Sequence, residues 1–377
     1  MKLMNRIRPA WVEVYLNNCV HNFREVKKRI NKETKVCTVV KADGYKLGAV
    51  QVSKAYIENG TNMLAVAVLD EGIEIREEIK EFPILVLGYT PEELFEKALE
   101  NNLTLTIYTE EHAQKLDQTA EKFGKKAKIH IKLETGMNRL GFLPTEENIN
   151  KIKSIYNMEN IEVEGIYSHL ARADEVNKKW AYIQKERFDK VIKRLEEEKV
   201  YIPIKHLANS AAIIDLPDFQ YDMVRPGIML TGQYPSEEVS KENVKLKLAF
   251  NLKARIANVK NIEPGEGVSY GHKFIAEERT KVATLPLGYA DGLPRLLSNK
   301  LEVAYKGIKC KNIGRICMDQ CMIDVTGIKD VKIGEEVILY GDGSKNSTTP
   351  DEVAKAIGTI NYEILTMLDR RLPRVYK

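Results

Sequence analysis

No apolar run in the 377-residue chain approaches the roughly 20 residues that a membrane-spanning helix needs, so no membrane helix is expected. Net charge is scarce too. Against 58 Lys and Arg stand 54 Asp and Glu, leaving +4, and no segment is dominated by basic residues; the footprint of a nucleic-acid binder is missing. Apolar residues make up 44%, so the chain also lacks the low hydrophobicity and high net charge of a disordered one. Cysteine is limited to five, an odd number without paired spacing, which points to free thiols in a reducing compartment. The basic start Met-Lys-Leu-Met-Asn-Arg-Ile-Arg-Pro has no apolar segment behind it, so no secretory signal is expected. There is no Walker sequence, and Gly265-Glu-Gly267-Val-Ser-Tyr-Gly271 has the wrong spacing for a dinucleotide loop. Cys317 and Cys321 have no second Cys/His pair at metal spacing, so no zinc site is expected. These absences leave a cytoplasmic globular protein of one large or two ordinary domains.

What is present is a rhythm. Short apolar, β-rich runs at 36–40, 63–68, 84–87, 103–107, 129–133, 161–167, 204–207 and 223–230 alternate with amphipathic helical stretches. Continuous apolar runs are how strands buried on both faces of a parallel sheet read. Thr90-Pro91-Glu92-Glu93 reads as a helix start with Thr90 as cap, and Trp180, Phe188, Val191, Ile192 and Leu195 fall on one face of a long charged helix. Eight strand–helix units predict a (β/α)8 TIM-type barrel, with a doubly wound open sheet as the alternative. After about residue 245 the texture changes to alternating runs at 252–259, 282–287, 301–304, 322–325 and 336–340, with one clear helix opened by Thr349-Pro350-Asp351-Glu352. The expected division is a barrel over 12–245 and a mainly antiparallel β domain over 246–377, with residues 1–11 packing on the latter.

In such a barrel, chemistry sits where the strands end. The first run ends in Lys41, whose amine either reaches water or faces a pocket, where desolvation makes it a usable nucleophile or base. Later runs lead into Lys132 and Arg139, into Ser168-His169 with Asp174 beyond, into His206 and Asn209-Ser210, and into Arg225-Pro226-Gly227-Ile228. Together they make one largely cationic rim, suited to an anion such as a phosphate held by a hydroxyl and backbone N–H groups.

On these residues the chain resembles the alanine racemases. The likeness is carried by Val39-Val40-Lys41-Ala42-Asp43-Gly44-Tyr45, Glu134-Thr135-Gly136-Met137-Asn138-Arg139-Leu140-Gly141, Asn209-Ser210-Ala211-Ala212 and Met223-Val224-Arg225-Pro226-Gly227. Further on, it is carried by Val268-Ser269-Tyr270-Gly271, Gly288-Tyr289-Ala290-Asp291-Gly292, Gly314-Arg315-Ile316-Cys317-Met318-Asp319-Gln320 and Thr359-Ile360-Asn361-Tyr362-Glu363. The resemblance implies pyridoxal 5'-phosphate as cofactor, alanine as substrate, D-alanine for peptidoglycan as product, and a homodimer with shared active sites. It makes Lys41 the Schiff-base lysine and one of two catalytic bases, with Tyr270 the other. Tyr45, Asn209, Ser210, Tyr362 and the amides of Gly227 and Ile228 would hold the cofactor. His169 would lie on its ring, Arg225 at its ring nitrogen with His206 behind, and Arg139 at its phenolic oxygen and the substrate carboxylate.

Tyr270, Met318 and Asp319, with Cys317 beside them, would come from the partner subunit. Tyr289, Arg295, Arg315 and Tyr362 would line the entrance, and Asp174 would support the site. Lys132 would carry a carbamate or pair with Glu134. An Arg at the ring nitrogen can only donate, which leaves that nitrogen unprotonated and disfavours transamination. A broad-range or serine racemase is the nearest competing activity; a PLP-dependent decarboxylase would need an acidic partner where Arg225 stands. Lys46, Leu47, Asn138 and Thr231 depart from the family pattern.

Overall fold

Described here as a computed structural model, the structure covers residues 8–377. After a first strand, β1 (Ala10–Val14), come eight parallel strands: β2 (Lys35–Val39), β3 (Met63–Val66), β4 (Ile84–Val86), β5 (Thr104–Ile107), β6 (Ala127–Lys132), β7 (Ile161–Tyr167), β8 (Ile204–His206) and β9 (Met223–Val224). They pair in sequence order and close on themselves, Lys35 opposite Met223 and Val36 opposite Val224. This is the barrel that the continuous apolar runs predict, and every residue of β3, β4 and β5 is buried. Helices cover it between strands; that of Glu110–Phe123 starts on Thr109, whose side chain accepts from the His112 amide at 3.2 Å.

Four local expectations are corrected. Thr90 does not cap a helix: a 3-10 turn at Glu92–Leu94 starts after Pro91 with no side-chain cap, and the Thr90 carbonyl accepts from His112 Nε2 at 2.9 Å instead. Trp180 is 44% exposed, and on the helix Lys179–Glu197 the buried stripe is continued by Ala181 and Gln184. The run 223–230 is strand only to Val224, because Pro226 has no N–H for a ladder and the chain turns into a 3-10 helix at Ile228–Thr231. The run 252–259 is two strands.

Those two are β10 (Phe250–Arg255) and β11 (Asn258–Ile262), followed by β12 (Gly267–Val268), β13 (Phe274–Ile275), β14 (Thr280–Leu285), β15 (Glu302–Tyr305), β16 (Ile308–Lys311), β17 (Cys321–Asp324), β18 (Glu336–Tyr340) and β19 (Arg374–Tyr376). A six-stranded sheet runs β16-β15-β18-β10-β1-β19, beside a three-stranded β11-β14-β17 and the pair β12-β13. All pairings are antiparallel except β1 with β19. Besides the helix Pro350–Ile357, capped by Thr349 and Glu352 as its sequence predicts, there is a second, Asn361–Thr366.

The described residues group into two units: one of Cys19–Gly44 and Ala49–Leu246, the other of 8–18, Tyr45–Gly48 and Lys247–Lys377. Because β1 pairs with β10, residues 12–18 go with the β-rich unit and not with the barrel. The segment Tyr45–Gly48 also does, Arg374 Nε donating to the Lys46 carbonyl at 2.8 Å. Residues 1–7, expected to pack there, lie outside the described residues. All five cysteines are free, and among the described residues no helix is long and apolar enough to cross a membrane.

Candidate active site

Lys41 stands two residues beyond the end of β2, after Val40. The chain then turns the unusual way: Ala42, Asp43, Gly44, Tyr45 and Lys46 have φ of 54°, 57°, 62°, 54° and 65°. A left-handed turn of L-residues is unfavourable by roughly 1–2 kcal/mol per residue, so something must hold it. Glu71 Oε1 accepts from the Ala42 amide at 2.6 Å while its Oε2 accepts from Ala67 at 2.8 Å. Asp43 Oδ1 accepts from the Ala49 amide at 2.9 Å. The Lys41 amine is shifted down, first by burial and then by the Arg139 charge, with Glu71 opposing.

Arg225 is buried, with both terminal nitrogens hydrogen-bonded. Its Nη1 donates to His206 Nδ1 at 2.9 Å, and its Nη2 to the carbonyls of Ser168 at 2.7 Å and Leu207 at 3.2 Å, with His169 Nδ1 at 3.4 Å. The guanidinium lies 5.1 Å over the Tyr167 ring, which stacks on His206 at 4.7 Å. Burial lowers Arg225 to about 10. Burial, then Arg225, holds His169 and His206 well below the usual imidazole range, so both are neutral.

Lys132 is buried, donates to the Leu133 carbonyl at 2.9 Å and lies 5.0 Å from the Tyr167 ring centroid. Burial and the nearby Arg225 bring it down to about 7. Glu134, its expected carboxylate partner, accepts instead from the amides of Gly136, Met137 and Arg139 at 2.5, 2.6 and 3.0 Å. That fixes the turn carrying Arg139, in which Asn138 sits at φ 56°, a conformation asparagine accepts more readily than most residues. Ser210 Oγ accepts from the Gly227 amide at 2.9 Å, bringing those two motifs together beside Ile228. The Asn209 side chain caps the helix Ser210–Asp215 by accepting from Ala212 at 3.1 Å. Asp174 contributes a backbone carbonyl to Ser236 Oγ at 2.7 Å, and among the described residues its carboxylate has no partner.

The barrel end therefore gathers Lys41, Lys132, Arg139 and Arg225, while the carboxylates of Glu71 and Glu134 are taken up by backbone amides. A desolvated amine, surplus cationic donors and a serine hydroxyl beside backbone N–H groups fit pyridoxal phosphate, which brings an aldehyde and a phosphate.

In the β-rich unit, Tyr270 is 70% exposed and follows Ser269, at φ 65°, whose Oγ donates to the Arg315 carbonyl at 2.7 Å and lies 3.2 Å from Cys317 Sγ. The amides of Tyr289 and Ala290 donate to the carbonyls of Cys317 and Met318, each at 3.0 Å. Asp319 pairs with Arg371 at 2.7 Å. Arg295 opens a 3-10 turn and Tyr362 lies on the helix Asn361–Thr366. Among the described residues no group of three or more His, Cys, Asp and Glu is placed to hold a metal ion.

Sequence reasoning missed Glu71, His130 and Gln184, which hold others in place, and gave Glu134 only as a partner for Lys132. Gln184 is buried and donates to the His169 carbonyl at 2.9 Å and Thr135 Oγ1 at 3.2 Å. For His130 a signal exists, since it stands two residues before Lys132 on β6 and so shares its face of the strand.

The chain matches the family models described as alanine racemase, N-terminal domain, over residues 14–235 and alanine racemase, C-terminal domain, over 249–376. It is 43% identical to "Alanine racemase 1" of Clostridium acetobutylicum, over 99% of this chain and 97% of that one. Among solved structures, alanine racemase of Clostridium difficile 630 superimposes with a TM-score of 0.95 at 43% identity, covering 98% of this chain and 96% of that one. The same enzyme in complex with cycloserine gives 0.93 at 42% identity, with the same coverage.

Proposed function

The chain belongs to the alanine racemase family, and from that premise we propose that it is a cytoplasmic enzyme interconverting L- and D-alanine, supplying D-alanine for peptidoglycan. The observation that carries this reading is the Lys41 amine, shifted down at the end of β2 within the donor cluster of Arg139, Lys132 and Arg225. Pyridoxal phosphate, when bound, supplies an aldehyde for covalent capture and a conjugated ring that takes up the electron pair left at Cα.

Racemisation removes a proton from one face of Cα and returns it on the other, so two acid/base groups must flank that carbon. Lys41 serves one face and Tyr270 the other. Tyr270 is exposed within its own chain, which suits a tyrosine that completes the site of a second subunit together with Cys317, Met318 and Asp319; the enzyme is accordingly a homodimer. Arg225 would donate to the ring nitrogen and, having no lone pair with which to accept, would leave it unprotonated. His169 would lie against the ring face. Tyr45, Ser210, Tyr362 and the amides of Gly227 and Ile228 would hold the phosphate, and Arg139 would orient the substrate carboxylate. Lys132, brought down to about 7 by burial and two arginines, carries a carbamate whose negative charge steadies Arg139. Tyr289, Arg295, Arg315 and Tyr362 restrict entry to a small amino acid.

The test is to incubate the PLP-loaded protein with single L-amino acids in D2O, following deuterium at Cα and product chirality. D-alanine formed far faster than other D-amino acids, with deuterium at Cα, is the expected result. Equal rates on serine and larger substrates would replace it with a broad-range racemase, and loss of the carboxylate would overturn racemisation.

A further inference from the structure

The inference rests on Arg225 being the ring-nitrogen partner, and concerns what holds that arginine. A guanidinium can only donate, so His206 Nδ1, 2.9 Å from Arg225 Nη1, presents its lone pair. A neutral ring with a lone pair at Nδ1 carries its proton at Nε2, and His206 Nε2 lies 2.8 Å from His130 Nδ1. His130 therefore accepts at Nδ1 and carries its own proton at Nε2. That nitrogen is buried, has no hydrogen-bond partner, and stands 3.6 Å from Glu164 Oε2. The distance is beyond a hydrogen bond, so the carboxylate acts on the N–H by charge. A donor-only group at one end and an acceptor-only group at the other leave each imidazole proton one place to sit.

The backbone builds the outer end of this chain. The β6–β7 ladder pairs Ile129 with Val163 but His130 with Gly165, so Glu164 is the extra residue of a β-bulge. A bulge re-aims the side chain it carries, and here the carboxylate it carries meets the His130 ring. The residue opposite the ring must be glycine: a Cβ on Gly165 would come within 2.6 Å of His130 Cε1 and Nδ1. Burial keeps both imidazoles neutral, His206 well down and His130 shifted the same way.

We propose that His130 and Glu164 are positioning residues that lock the tautomer of His206, so that its Nδ1 lone pair always faces Arg225 and the guanidinium keeps one orientation toward the cofactor. They touch neither substrate nor cofactor.

The experiment reads the imidazole nitrogens of nitrogen-15 histidine-labelled protein, without cofactor, by two-bond proton–nitrogen correlation near pH 7. In the unaltered protein His130 and His206 should each be neutral with the proton on Nε2. His130→Phe, which removes the acceptor, should turn His206 into a mixture of tautomers, while His130→Asn, whose amide oxygen can still accept, should restore the single form. Glu164→Gln should leave His130 itself mixed. In the holoenzyme, His130→Phe should form several-fold more pyruvate from alanine per racemisation turnover, and His130→Asn should not. A His206 proton on Nδ1 in the unaltered protein would overturn the proposal, as would His206 unchanged in a folded His130→Phe. Should that variant not fold, an unchanged His130 in Glu164→Gln overturns it alone. The nitrogen readout needs neither cofactor nor turnover, so its failure is distinguishable from failure of the racemase reading, in which pyruvate and racemisation are both lost.

Discussion

Gly288 lies against the carbonyl of Cys317 so closely that a Cβ would stand 2.1 Å from that oxygen. The obstacle is backbone, which the amides of Tyr289 and Ala290 also grip. Gly288→Ala must therefore push the 317–319 loop away. Overpacking of this kind costs about 1–3 kcal/mol, seen as a lower urea midpoint. Because the loop carries Met318 and Asp319, KM for alanine should rise more than kcat falls.

Glu71 is the clamp on the turn behind Lys41. Glu71→Leu leaves the amides of Ala42 and Ala67 without their acceptor, a loss of about 1–3 kcal/mol for a buried donor. Cofactor should dialyse away faster from this variant than from the unaltered protein, whereas Glu71→Gln, keeping one oxygen acceptor, should fall between them.

Lys46 occupies φ 65° without being glycine. Lys46→Gly removes a left-handed penalty of roughly 1 kcal/mol and should raise the melting temperature. A lower melting temperature would mean that the lysine side chain contributes more than its backbone conformation costs.

Acid should unfold the barrel through its histidines. His112, His130, His169 and His206 all titrate below the ordinary 6.5 in the folded chain. The unfolded chain then binds more protons, so stability is complete above pH 6.5 and falls as pH drops beneath it, by at most about 1.4 kcal/mol per pH unit for each group until its folded-state pKa is reached. Urea midpoints should drop as pH falls below about 6.5, with proton uptake on unfolding; no uptake would refute the neutral assignments.

Lys132, brought down to about 7, has a neutral amine above that pH and can react with carbon dioxide. Carbon-13 bicarbonate should give a protein-bound carbamate signal that grows as pH rises through 7 and is missing in Lys132→Arg. No signal near pH 8 would leave Lys132 a free amine.

The barrel was legible because residues buried on both faces leave unbroken apolar runs, and the rim because strand ends face a pocket. What stayed hidden was whatever depends on distant partners. Ile256 and Ala257 separate β10 from β11 without a glycine or proline to mark the turn. The strand β19 is three residues, two of them Arg374 and Tyr376, and exists only because β1 pairs with it. Thr90 carries a cap signature beside Pro91, yet its carbonyl is claimed by His112. Glu71 on the Ala42 amide and Gln184 on the His169 carbonyl act across 29 and 15 residues, a relationship that no local spacing encodes. Lys41, Arg139, His169, His206 and Arg225 could be picked out by type and position; Glu71, Gln184 and Glu164 could not.

The left-handed turn after Lys41 makes the reactive amine a reporter of folding. No isolated segment of L-residues would hold five successive positive φ angles, so the fragment around Lys41 cannot present its amine this way by itself. Its geometry is imposed by Glu71 on Ala42 and by Asp43 on Ala49, contacts that exist only once the neighbouring strand and helices are in place. An incompletely folded chain thus exposes an ordinary lysine, mostly protonated at neutral pH and so slower toward aldehydes than the desolvated amine of the folded one.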